Sequence, residues 1–221
     1  MQQLLQESDS SYSLVGYYPN LIGPILLQRI KYYCETTPNY QGGSTNFGTE
    51  VPRLQKWFQE GLGYFSNRWH KRYPRWIAFP YDKDLLEIQV QVQSLTDQKL
   101  SQLNKFQTQT FNSCLLNYYR NHLDSIKAHS DDEPTFGQHP IVAVVSVGDT
   151  RTIQFTRKVV GSSIKPDRNQ SDLNLSIQLE EGSLLIMAGS TQDHYIHEIP
   201  KQEIECSGRH SLTFRQYYHM D

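Results

Sequence analysis

His129-Ser130-Asp131 sets an imidazole and a carboxylate two residues apart, and His197 follows sixty-six positions later (197 minus 131). On an extended strand, residues i and i+2 project to the same side, so His129 and Asp131 can reach one ion together. A third ligand from a distant strand completes two histidines and one carboxylate. That set binds one face of a non-haem Fe(II) and leaves positions open for co-substrate and O2. Zinc takes the same donors, but structural zinc is usually closed by four Cys/His ligands, and Cys34, Cys114 and Cys206 form no such cluster.

With eight His and 23 Asp+Glu in the chain, one H-x-D triplet carries little weight alone. A second pattern adds to it. Arg209 and Arg215 in RHSLTFR are six residues apart, an even offset that puts both guanidinium groups on one face of a strand, with Ser211 and Thr213 between. Inward-facing arginines are costly to bury without anionic partners. A small dicarboxylate suits them, because each guanidinium grips a carboxylate with paired hydrogen bonds. Solvent, or an acid of the chain itself, is the other partner open to them. Asn117 and Tyr119 also share parity, and an amide and a phenol could both hydrogen-bond a carboxylate.

The elements that must hold these residues follow from pattern. The 221 residues suffice for one sizeable core, and a net charge of -2 from 21 Lys+Arg and 23 Asp+Glu lacks the basic excess of a histone-like binder. Aromatics at 12% exclude wholesale disorder. The start MQQLLQESDSSYS has no secretory pattern and no apolar run is long enough to cross a bilayer, so a soluble intracellular protein with free thiols is expected. Residues 1–11 read as frayed, Tyr12 to Tyr18 as a strand, and Ile25 to Cys34 as an amphipathic helix opened by Pro24. Asn39 to Gly48 reads as loop. The alternation of Leu86, Ile88, Val90 and Val92 with polar residues predicts a strand, and Leu100, Leu103 and Phe106 a helix starting at Thr96-Asp97. From Phe111 onward, short apolar runs separated by turn residues indicate a β-sandwich or barrel. The expectation is one α+β domain over 1–221, with N-terminal support in 1–110 and a mainly β half in 111–221.

Within that half, FNSCLLNYYRN (111–121), AHSDDEP (128–134), PIVAVVSVGDTRTIQF (140–155), GSLLIMAGSTQ (182–192), IHEIPK (196–201) and RHSLTFR (209–215) occur in one order. In these blocks the chain resembles the AlkB family of Fe(II)- and 2-oxoglutarate-dependent dioxygenases, most closely the animal-type members that demethylate DNA and RNA. The resemblance implies a double-stranded β-helix, or jelly-roll, with supporting N-terminal helices and a nucleotide-recognition lid. It implies that His129, Asp131 and His197 ligate iron and that Arg209, with Asn117 and Tyr119, binds the distal carboxylate of 2-oxoglutarate. Arg215 then lies near the carboxylate beside the keto group. Ser211 departs from the family's common Asn, which weakens the co-substrate contact, and Tyr195 stands where close relatives tend to carry Trp.

Val51-Pro52-Arg53-Leu54-Gln55-Lys56-Trp57-Phe58 resembles the family's lid segment, and Tyr64-Phe65-Ser66 the aromatic-Ser element after it. The resemblance implies that Phe65 stacks on a flipped base, with Arg53, Ser66, Asp132 and Glu133 around it. As ordinary protein residues, Phe65 would be a core aromatic and Arg53 a surface charge. Residues 67–93 look like an insertion in which Arg68, Trp69, His70, Lys71, Arg72, Tyr73, Arg75 and Trp76 interleave cations with rings, a composition suited to phosphates and bases. Between Arg53 and Arg75, six Lys/Arg face one acid, Glu60, for a local charge of +5. The implied activity is oxidative removal of methyl groups from bases of the 1-methyladenine and 3-methylcytosine type, a repair of alkylation damage using Fe(II), 2-oxoglutarate and O2. The implied partner is DNA or RNA, met by a monomer without a membrane. The same chemistry on a protein, lipid or small molecule, and a non-catalytic nucleic-acid-binding module, are the competing readings.

Overall fold

A computed structural model describes residues 2–44, 48–61, 63–66, 72–159, 161–162 and 164–219. Arg68, Trp69, His70 and Lys71 lie outside them. The chain opens with a hairpin, β1 (Gln2–Ser8) and β2 (Ser11–Tyr18), followed by helix α1 (Pro24–Thr36) and strand β3 (Leu54–Gln59). α1 begins on Pro24, whose missing N–H costs nothing in a first turn, and buries Leu26, Ile30, Tyr33 and Cys34 at three- and four-residue spacing.

Helix α2 (Lys83–Ser101) replaces the strand expected over 86–93. Asp82 caps it, its carboxylate accepting from Leu85 N at 2.8 Å. The alternating window satisfies both periods, but only the helical one continues: Leu85, Ile88, Val92, Thr96 and Leu100 are buried, whereas Leu86 and Val90 face solvent. Thr96 and Asp97 therefore lie inside a helix instead of starting one.

The remaining strands are β4 (Ser113–Tyr119), β5 (Ile126–His129), β6 (Val142–Gly148), β7 (Arg151–Arg157), β8 (Leu175–Leu179), β9 (Leu184–Gly189), β10 (Tyr195–Ile199) and β11 (Arg209–Arg215), with the short helix α3 (Thr191–His194) before β10. Among the described residues they form a seven-stranded sheet, β1-β2-β9-β6-β11-β4-β3, and a four-stranded sheet, β5-β10-β7-β8. All ladders between these strands are antiparallel, as the β-rich pattern of the C-terminal half and the jelly-roll implied by the family resemblance require. β1, β2 and β3, from the N-terminal part, extend both ends of the large sheet.

Strand parity divides this sheet between two cores. On β11, Leu212 and Phe214 join Leu116, Val145 and Ile186 against α1 and α2. The opposite face carries Val15, Val142, Val144, Leu185 and Met187, which meet Ile153, Phe155 and Ile177 of the small sheet. Arg209, Ser211, Thr213 and Arg215 share the parity of this inter-sheet face.

The first residues are not frayed. β1 pairs with β2 from Gln2↔Gly16 to Ser8↔Ser11, and Glu7 forms a two-pronged ion pair with Arg157, 150 positions away, in which Arg157 Nη1 donates to Oε1 at 2.7 Å and Nη2 to Oε2. Burial pushes the Glu7 carboxyl up, but the bonds from Arg157 and Ser13 outweigh it and hold it below its ordinary value. Among the described residues, no helix is long and apolar enough to cross a membrane.

Because Glu7 titrates lower in the folded than in the unfolded chain, the ion pair stabilises fully above the ordinary glutamate range and the gain is lost as pH falls through the folded value. Glu7→Gln should cost roughly 2–3 kcal/mol at pH 7, a Tm loss of roughly 5–10 °C. In thermal melts the wild-type advantage should begin to shrink near about pH 4, the ordinary glutamate range, and vanish only once the pH lies below the folded value; an advantage that persists unchanged into strong acid excludes this role for the carboxylate.

Candidate metal centre

β5 and β10 are neighbours, and their register places His129 directly opposite His197. The ring centroids are 4.4 Å apart. Asp131 follows β5 by two residues, as its parity with His129 requires, and the available ligand atoms of His129, Asp131 and His197 all lie within 4.8 Å of one another. His197 Nε2 is 3.8 Å from Asp131 Oδ2. His129 Nδ1 meets the Lys127 carbonyl oxygen at 2.8 Å, so Nδ1 carries the proton and donates it, leaving the Nε2 lone pair free for a cation.

Asp131 and the segment around it are held from behind. Asp131 N donates to Gln192 Oε1 at 2.8 Å, and Arg215 Nη2 donates to Asp131 Oδ1 at 2.8 Å. Ser130 Oγ donates to the Tyr195 carbonyl and receives a bond from Lys158 Nζ, both at 2.8 Å, tying the H-S-D segment to β10 and to the end of β7. Gln192, Lys158 and Ser146 escape a sequence reading, because nothing local links them to partners 28 to 63 positions away.

Burial raises the Asp131 carboxyl, but Arg215 and the two histidines more than reverse this and bring it down to about 2. Burial, then the neighbouring His129, pushes His197 down to about 3. Burial also lowers His129. One carboxylate and two neutral imidazoles at neutral pH make a donor set ready for a divalent cation.

The ligands open into a cavity of about 120 Å³ that is also lined by Asn117, Tyr119, Arg209, Ser211, Thr213 and Arg215. β11 runs between β4 and β6, pairing Arg209 with Tyr119 and Ser211 with Asn117, so parity along two adjacent strands gathers these side chains. Arg209 is 1% exposed, donates to Ser146 Oγ at 2.9 Å and stands 5.5 Å from the Tyr119 ring centre. Burial lowers its pKa to about 10.

Several atoms in this wall are buried without a hydrogen-bond partner in the protein: Asp131 Oδ2, Nε and Nη1 of Arg209, and Nε and Nη1 of Arg215. Buried polar atoms are normally satisfied. One acceptor beside two imidazoles and four donors along one wall match a divalent cation and a dicarboxylate, so the residues present fit Fe(II) and 2-oxoglutarate.

The lid residues are distributed differently. Arg53 and Phe65 line the cavity. Arg53 is 8% exposed and not a surface charge, while Phe65 is 7% exposed, stacks on Trp76 with centroids 4.1 Å apart and meets Trp57 edge-on at 5.0 Å. Phe65 is thus core aromatic and cavity wall at once. Ser66, Asp132 and Glu133, expected around the base, do not line the cavity: Ser66 Oγ donates to Glu133 Oε2 at 2.7 Å, and Asp132 is exposed in a separate surface pocket with Lys158 and Gln192. Lys56 is buried too, donating to the Pro38 carbonyl at 2.8 Å, and Arg75 lies over the Tyr73 ring at 4.6 Å. The local +5 therefore overstates the charge presented to a phosphate backbone.

The family model described as the 2OG-Fe(II) oxygenase superfamily matches residues 15–215. Alpha-ketoglutarate-dependent dioxygenase alkB homolog 3 of Rattus norvegicus is 30% identical over 221 residues, covering 96% of this chain and 66% of the rat protein. DNA oxidative demethylase ALKBH2 of Arabidopsis thaliana is 35% identical over 117 residues, 48% of this chain and 37% of the relative. The chain thus spans less than two thirds of either relative's length. Among solved structures, OsALKBH1 superimposes with a TM-score of 0.59 at 18% identity, over 91% of this chain and 97% of that one, a likeness of fold.

If the three side chains form one metal site, Asp131→Ala should weaken Mn(II), a redox-silent stand-in for Fe(II), by more than the roughly 10- to 100-fold that loss of an outer hydrogen-bond partner costs. Calorimetric titration measures this, and unchanged affinity removes Asp131 from the ligand set.

Proposed function

Because the chain belongs to the 2OG-Fe(II) oxygenase superfamily, we propose that it oxidatively demethylates N-alkylated bases of the 1-methyladenine and 3-methylcytosine type in DNA or RNA. The observation that carries the chemistry is the joining, in one cavity, of the His129–Asp131–His197 cluster with the unused donors of Arg209 and Arg215. The names of the relatives, an alkB homolog dioxygenase and a DNA oxidative demethylase, support the substrate class.

His129, Asp131 and His197 would hold Fe(II), and the bond from Arg215 to Asp131 Oδ1 leaves Oδ2 unpartnered and available to it. Arg209, with Tyr119 and Asn117, would grip the distal carboxylate of 2-oxoglutarate, while the unpartnered nitrogens of Arg215 would serve the carboxylate beside the keto group. Ser211 and Thr213 line the wall between the two arginines, and Val144, Leu179 and Met187 exclude water around the methylene chain. When bound, iron, 2-oxoglutarate and O2 supply the oxidation: a methyl C–H is hydroxylated as 2-oxoglutarate yields succinate and CO2, and the product loses formaldehyde.

On the substrate side, Phe65 and Arg53 line the cavity, the Ser66–Glu133 pair and Asp132 serve a flipped base from outside that lining, and residues 51–58 and 64–66 act as the lid over it. Asp132 and Glu133 favour a cationic methylated base by charge and accept from its exocyclic amine. The protein works as a single domain in which residues 111–221 supply the catalytic core and 1–110 the support and lid.

Incubation with Fe(II), ascorbate, 2-oxoglutarate and a panel of methylated DNA and RNA oligonucleotides, read by mass spectrometry, should show loss of one methyl mass from 1-methyladenine or 3-methylcytosine substrates. His129→Ala should abolish it. Turnover of 2-oxoglutarate with no oligonucleotide losing a methyl would move the activity to another substrate class, and full activity in His129→Ala would overturn the enzyme assignment.

A further inference from the structure

Arg53 immediately precedes β3, at the base of the proposed lid, yet its side chain turns inward and lines the cavity with Asn117, Tyr119 and Arg209. Its Nε donates to Asn117 Oδ1 at 3.0 Å, and Nη1 reaches the Ser125 carbonyl at 3.4 Å. It forms no ion pair with a carboxylate among the described residues. Burying a guanidinium against two neutral oxygens is expensive, so the position calls for a role that repays it.

The contact with Asn117 has a one-way logic. A guanidinium has five donors and no acceptor, so the amide atom that meets it must be the oxygen. The Asn117 NH2 is then turned away from Arg53, and Asn117 is 4% exposed, with the cavity as the space its inward-facing parity gives it. Among the described lining residues it is the only carboxamide, and Ser211, opposite it in the ladder, offers just a hydroxyl. An anion bound at this wall needs a donor. Rotated by half a turn, Asn117 would present its carbonyl oxygen and repel a carboxylate.

We infer that Arg53 is a positioning residue for the co-substrate, locking the Asn117 carboxamide with its NH2 toward a 2-oxoglutarate carboxylate. The inference rests on the proposed reading of the cavity as the 2-oxoglutarate site. It also gives the lid a mechanical tie to that site: displacement of the chain around Arg53 releases the amide that the co-substrate uses.

The test is calorimetric titration of 2-oxoglutarate into the Mn(II)-loaded protein, which needs no turnover, for wild type, Arg53→Lys, Asn117→Ala and the double variant. Lysine keeps the charge but lacks the planar fork that fixes the amide. Arg53→Lys should bind 2-oxoglutarate about tenfold more weakly, the size of one charge-assisted hydrogen bond, while Mn(II) affinity stays within about twofold. In the Asn117→Ala background the same change should alter affinity by less than about twofold, because no amide is left to orient.

Equal affinity of Arg53→Lys and wild type, or the same tenfold loss with and without Asn117, overturns the inference, the second result marking Arg53 as a general structural or electrostatic support. Should Arg53→Lys not fold, Arg53→Gln keeps a donor for Asn117 Oδ1 and is judged by the same cycle. Failure of the wild type itself to bind 2-oxoglutarate with Mn(II) present sinks the reading of the cavity, a result distinguishable from loss of the Arg53 role alone.

Discussion

One carboxylate, Asp131, shares its cavity with three buried guanidinium groups, Arg53, Arg209 and Arg215, and two imidazoles. An interior charge costs several kcal/mol unless paired, and only the Arg215–Asp131 contact is an ion pair between cavity residues made with a guanidinium. Arg209 settles for a serine hydroxyl and Arg53 for an amide oxygen. The surplus positive charge must therefore be held in place by the backbone and answered by an anion. This imbalance accounts for the orphaned donors on the arginines, for the depressed Asp131 carboxyl and for the choice of a small dianion as co-substrate.

Holding such groups requires rigid supports, and the jelly-roll supplies them at the interior of its sheets. β11 is hydrogen-bonded on both sides, by β4 and β6, and β10 likewise by β5 and β7. A side chain on such a strand cannot change sides without a register slip that would also expel Leu212 and Phe214 from the core packed on α1 and α2. The apolar half of each strand thus anchors the polar half. The same economy extends to the N-terminal hairpin: Glu7 fixes Arg157, whose guanidinium lies 5.0 Å from the centre of the Tyr195 ring, two residues before His197.

Much of the site was legible in the sequence because its spacing is a property of extended chain. The i, i+2 relation of His129 and Asp131 and the even offset between Arg209 and Arg215 hold in any strand, and the structure brings all four into one cavity. His197 stood beside them as a distant candidate, and the family resemblance singled it out as the third ligand, because no local pattern could pair it with His129. Period alone misled over residues 86–93, where eight residues of alternation fit a strand and the longer window fits a helix. Composition misled over the first eleven residues, whose Gln, Ser and Asp look frayed until the partner of Glu7 is known.

The sequence by itself determined which residue types could do chemistry, which of them share a strand face, and the mainly β character of the second half, since all of these depend on neighbours within a few residues. Only the tertiary structure decided that Arg53 lines the cavity instead of standing as a surface charge, that Lys56 is buried, that Trp76 packs behind Phe65, and that Gln192, Ser146 and Lys158 brace the site. Those assignments depend on contacts across tens of residues, where the direction of a side chain follows from which strand lies beside it and how much water the packed layers leave.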